Sequence, residues 1–269
     1  ARRLPRPRNH RHRGVIACAV RRMSGGACVS VFFLTMLTVY VVLAALRNRY
    51  DTQSESRTTK VIAAVLHTLI FASACCLAAG MGAFSRQLAS PVHIGAGLLA
   101  GHLIFGLSLL VTHLSWRAAA SHFFDLGPLW EYVVENPMVL LRFMAVSIGE
   151  EVIYRAAAQP LAIDATGSTW AGILTVAVAF CVVHRHFFRN PSEQSIEFAG
   201  FALFMGVLYY WTGSLILVLV IHAVRNIEIA YLEETLDEDE QGEAPIKADD
   251  PSEECRMPSA FVRAEKCHE

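Results

Sequence analysis

The sequence predicts an all-α protein, a polytopic bundle of about seven membrane-spanning helices. Three observations predict it. The chain of 269 residues is 54% hydrophobic, where an ordinary soluble domain is roughly 45–50% apolar. The excess is gathered into blocks near the ~20 residues that cross a bilayer at 1.5 Å per residue. Isolated strands cannot satisfy their backbone in lipid, so each block must be a helix.

The blocks fall at residues 27–46, 61–84, 92–112, 138–161, 170–188, 196–211 and 215–232. The first carries no charge, and its Val, Ile and Phe content does not override the backbone argument. The sixth is short. Between the third and fourth lies an amphipathic stretch, Ser115–Trp130, with Trp116, Phe123, Phe124, Leu126 and Trp130. Such a stretch is expected to lie in the membrane interface, with lining of a substrate path as the lesser alternative.

Domain organisation follows from charge. Residues 1–26 read as a disordered basic arm, with eight arginines and no acid before Met23, itself a candidate start. Residues 27–232 form the membrane domain. Residues 233–269 carry thirteen acids against four Lys/Arg, with Pro245, Pro251 and Pro258, and read as a disordered acidic tail. With seven spans, the linkers on one side (47–60, 113–137, 185–195, and the tail) hold nearly all the interhelical Lys/Arg. The linkers on the other side hold only Arg86. The positive-inside rule then puts the C-terminus in the cytoplasm, although the N-terminal arginines argue the reverse. Seven cysteines show no CxxC and no metal or disulfide spacing.

The polar residues inside the apolar blocks carry the functional argument. A charge at mid-bilayer costs on the order of 2.5–3.5 kcal/mol even on lenient scales. The fourth block nonetheless holds Glu150, Glu151 and Arg155. On a helix Glu151 and Arg155 share a face and can pair, which leaves Glu150, about 100° away, for another partner. Alone, this is equally an interhelical clamp. The fifth block brings Phe180 and His184 on one face. The seventh brings His222 and Asn226, one turn apart, and alone these are equally a hydrogen-bonded helix contact. Arg225 and Glu228 lie on other faces. His67, His93, His102, His113 and His186 read as structural. Taken together, a carboxylate and an imidazole can activate water, and a second imidazole and a carboxamide can stabilise an oxyanion. The sequence contains no GxSxG, HExxH, GxGD or P-loop pattern, so water is the most economical nucleophile.

Glu-Glu-xxx-Arg, Phe-xxx-His and His-xxx-Asn, in this order over residues 138–232, resemble the CPBP (CAAX protease and bacteriocin-processing, or Abi) family of intramembrane endopeptidases. The resemblance implies a glutamate-dependent protease without cofactor or metal. Glu150 would be the general base, His184 would hold the water, and His222 with Asn226 would bind the oxyanion. Glu151, Arg155 and Phe180 would support them. The implied partners are a membrane protein or peptide substrate and the bilayer, and not nucleic acid. The Ala-, Val- and Arg-rich composition favours a bacterial inner-membrane enzyme over a prenyl-protein endopeptidase. A zinc protease built on Glu150, His184 and His222, and a non-catalytic scaffold or bacteriocin self-immunity protein, are the rival readings.

Overall fold

Every apolar block folds as a helix, as the lipid argument requires. The computed structural model describes residues 26–50, 57–84, 90–113 and 116–242. The basic arm and residues 243–269 of the acidic tail therefore lie outside the described residues. Among the described residues there is no strand. In chain order the helices are α1 (Gly26–Tyr50), α2 (Arg57–Gly80), α3 (Pro91–His113), α4 (Trp116–Phe124), α5 (Leu126–Glu135) and α6 (Pro137–Glu150). A π-helix (Glu151–Ala158) and α7 (Gln159–Thr166) continue α6 without a break. Then follow α8 (Thr169–Val183), a 3₁₀ turn (Arg185–Phe188), α9 (Ser192–Thr212) and α10 (Leu215–Gly242). The last helix runs past Glu233, so the first ten residues assigned to the acidic tail are helical.

Among the described residues four helices are long and apolar enough to cross a membrane: Ala27–Arg49, Arg57–Gly80, Pro91–Val111 and Leu215–Thr235. The protein is an integral membrane helix bundle. The other three blocks of the seven-span expectation differ for identifiable reasons. The fourth carries its charges and a π segment at its centre. α8 has only 15 residues, because His184 leaves the helix with extended backbone (φ −90°, ψ 112°). α9 opens on the polar run Ser-Glu-Gln-Ser-Ile-Glu.

The π-helix is the hub of the bundle. It packs against α2, α6, α7, α8 and α10, and all eight of its residues are buried. Its cause is local. Pro160 has no N–H to give Ala156, and its ring excludes that carbonyl, so the α-helical pattern cannot continue. The turn widens instead, and Gln159 N–H bonds to Tyr154 O, five residues back.

α3 lies along α10 through small residues. A Cβ on Gly101 would sit 2.7 Å from Val224 Cβ, so glycine sets the helix spacing. Gly106 makes the notch for Phe123, since a Cβ there would come within 2.7 Å of the Phe123 ring. The amphipathic stretch thus divides. Phe123 turns inward and stacks on His102 at 4.1 Å. Trp116, Phe124, Leu126 and Trp130 stay exposed, as the interfacial expectation has it.

Candidate active site

Three helices bring Glu150, Glu151, His184 and His222 together, and each local structure dictates what its side chain does. Glu150 and Glu151 straddle the junction of α6 and the π-helix. The main chain there points Glu151 inward, 0% exposed, while the Glu150 side chain keeps 18% exposure. Glu151 Oε2 lies 3.5 Å from Arg155 Nε, the pairing expected from their spacing. Arg155 is itself fully buried, donates Nη2–H to Ala202 O at 3.2 Å, and lies 5.1 Å over the Phe180 ring.

His184 is the C-cap of α8. The last turn of a helix leaves carbonyls without partners, and the His184 ring takes one of them, with Nδ1 2.6 Å from Phe180 O. A carbonyl only accepts, so Nδ1 carries the proton. Nε2 then faces Glu150 Oε1 at 3.3 Å. Phe180 packs on the same imidazole at 4.4 Å, which fixes the ring plane. Asn48 of α1 donates to Val182 O at 2.9 Å, bracing this end of α8.

His222 is held the same way. Its Nδ1 lies 2.8 Å from Glu151 Oε1, and Glu151, beside a guanidinium, is an acceptor. Its Nε2 lies 3.5 Å from Glu150 Oε2. Glu150 therefore stands between two Nε2 atoms whose ring partners are both already protonated at Nδ1.

Asn226 follows His222 by one turn on α10 and is half-buried. No described residue hydrogen-bonds to it. Among the described residues no group of three or more His, Cys, Asp or Glu is arranged to hold a metal.

The sequence reading missed other polar residues here. Arg225 bonds through Nη2 to both oxygens of Glu197, at 3.0 and 2.7 Å, and Glu197 accepts from Ser108 at 2.7 Å. Glu228 takes His102 Nδ1 at 2.8 Å. Gln159 donates to Gly206 O at 2.8 Å, one turn beyond the Arg155–Ala202 bond on both helices. Glu197 lies near the polar start of the short sixth block. The partners of Arg225, Glu228 and Gln159 lie far away in sequence, so no spacing pattern signals them. A cavity of about 300 Å³ lined by Thr169, Trp170, Ile173, Val207, Tyr210 and Trp211 lies at the opposite end of α8 and includes no motif residue.

All three motifs just described fall within one stretch that resembles a known family. Residues 133–227 are similar to type II CAAX prenyl endopeptidases of the Rce1-like family. This Rce1-like segment spans α6 to α10 and agrees with the CPBP resemblance. The matched stretch covers about a third of the chain. α1, α2 and α3 lie outside the Rce1-like segment, although all three pack against it. No curated protein and no solved structure matches the chain.

Proposed function

We propose that this protein is an intramembrane endopeptidase that cleaves a membrane-associated protein with a water activated by Glu150. The observation that carries the reading is the position of Glu150, the more accessible of the two acids, between Nε2 of His184 and Nε2 of His222. Neutral His184 accepts a hydrogen bond from the water at Nε2 and holds it beside Glu150. Glu150 takes one water proton as the oxygen adds to the peptide carbonyl. The developing oxyanion receives hydrogen bonds from the Asn226 amide and from His222. His222 Nδ1–H is committed to Glu151, so its donation comes from Nε2–H and the ring acts as an imidazolium. Collapse of the tetrahedral species breaks the C–N bond, and Glu150 returns its proton to the leaving amine. Glu151 orients His222, Arg155 balances Glu151, and Phe180 aligns both imidazoles.

The site sits in a membrane domain spanning 27–232 with seven crossings, in a bacterial inner membrane, with the C-terminus cytoplasmic. A prenylated CAAX tail as substrate is the second reading, favoured by the description of the matching family. The test compares membranes of cells carrying wild type or Glu150→Gln. A precursor protein accumulates in the variant, and a farnesylated CAAX peptide offered to the purified enzyme separates the two substrates. An unchanged membrane proteome together with an uncut peptide would end the protease reading and leave a scaffold.

A further inference from the structure

His222 has a second support that neither the motifs nor the proposed chemistry uses. The Phe201 ring of α9 meets the His222 imidazole edge-on, at 5.4 Å and 73°. The Arg225 guanidinium lies over that same Phe201 ring at 4.6 Å. Arg225 and His222 sit three residues apart on α10, about 60° around the helix, so the two grip one aromatic ring between them. The guanidinium cannot slide away, because Glu197 holds it through both oxygens, at 3.0 and 2.7 Å. Glu197, one turn before Phe201 on α9, is fixed in turn by Ser108 of α3 at 2.7 Å. The side chains of Arg225 and Glu197 keep only 7% and 10% exposure.

Such a pair is costly in a membrane interior. Taking two charges out of water costs several kcal/mol each, and a well-packed apolar pair is commonly as stable or more so. Interhelical adhesion alone therefore explains it poorly. What the pair does supply is direction: a planar cation stacked on a ring, with the ring set against an imidazole.

We infer that Arg225, Glu197 and Phe201 form a positioning clamp that sets the plane of the His222 ring, so that Nδ1 stays on Glu151 while Nε2 points toward Glu150. The clamp rests on the endopeptidase reading for its consequence in turnover, but not for its effect on the ring. His222 is thereby held on three sides: by the Glu151 carboxylate at Nδ1, by Phe180 at 6.1 Å, and by Phe201. The α10 main chain fixes only where the side chain begins.

The experiment uses the full chain in lipid nanodiscs and three variants. Phe201→Leu removes the ring, Phe201→Tyr keeps it, and Glu197→Gln with Arg225→Met removes both charges so that neither is left buried alone. Turnover is measured on the peptide from the precursor that accumulates in Glu150→Gln membranes. The ring is read by nitrogen-15 histidine resonances, with His222 assigned from a His222→Gln spectrum. Phe201→Leu and the double variant each lower kcat about tenfold at unchanged KM, while Phe201→Tyr stays within about threefold. In the first two the His222 nitrogen resonances move from their wild-type positions. Should kcat fall while the His222 resonances keep their wild-type positions, the residues serve as adhesion and the clamp is wrong. It is equally wrong if neither changes. If wild type cleaves nothing but the His222 resonances still move in these variants, the clamp stands and the protease reading falls.

Discussion

Glu151 Oε1 lies 2.8 Å from His222 Nδ1, while its other oxygen faces Arg155 at 3.5 Å, so the more buried of two adjacent acids is hydrogen-bonded through one oxygen and ion-paired through the other. The two glutamates should therefore fail differently. Glu150→Gln keeps a hydrogen-bonding group of the same shape at a partly open position. It should reduce turnover by about 10²–10⁴-fold, the usual worth of a general base, with little change in thermal stability. Glu151→Gln strands the Arg155 charge in a dry interior, which costs about 3–5 kcal/mol, so the yield of folded protein should fall before activity can be measured. Thermal unfolding in detergent of the two variants side by side checks this. Equal loss of stability would contradict it.

His184 caps its helix, and in the proposed mechanism it also holds the water. His184→Asn leaves Phe180 O to be capped by a shorter side chain and withdraws Nε2 from Glu150. Turnover should drop by about 10²-fold or more. The capping part should appear separately, as about 1 kcal/mol of stability.

Asn226 is hydrogen-bonded to no described residue, so no described contact depends on its amide. Asn226→Ala should lower kcat by about 10²–10³-fold, the cost of one oxyanion donor, with unfolding temperature and KM nearly unchanged. A large loss of stability would show that the amide is an interhelical contact instead.

Metal chelation separates the water-glutamate chemistry from its zinc rival. Dialysis of active enzyme against a strong chelator should leave the rate intact, and elemental analysis of purified protein should find less than one zinc per chain. Loss of activity restored by zinc alone would reverse the assignment.

The notch at Gly106 tests the packing of the interfacial helices. A leucine there displaces the Phe123 ring from His102 and overpacks α3, at about 1–3 kcal/mol. Tryptophan fluorescence of Trp116 and Trp130 should report a changed membrane depth. An unchanged spectrum would mean that α4 is held by lipid alone.

The fold class was legible because apolar blocks of bilayer length leave the chain few alternatives. The acid pair, both motif histidines and Asn226 were legible because each breaks an apolar helix at a cost. The count of crossings was less so, since α9 starts on polar residues and α8 stops early at His184. Neither the π-helix nor the engagement of His222 by Glu151 was visible. The first depends on Pro160 acting backward on the preceding turn, and the second joins residues 71 positions apart. The partners of Arg225 escaped for the same reason. A guanidinium at the edge of a motif reads as local until the fold shows Glu197 and Phe201 beneath it.

The widened turn at Glu151–Ala158 packs more residues into each revolution than the helix on either side. Replacing Pro160 with alanine would let ordinary winding resume at about 100° per residue, a larger step than the widened turn takes, and everything downstream would rotate relative to α6. Gln159 would swing away from Gly206, and α7 would no longer meet α8. The irregularity thus works as a phase shifter, letting one continuous rod present its acids to α8 and α10 and its amide to α9.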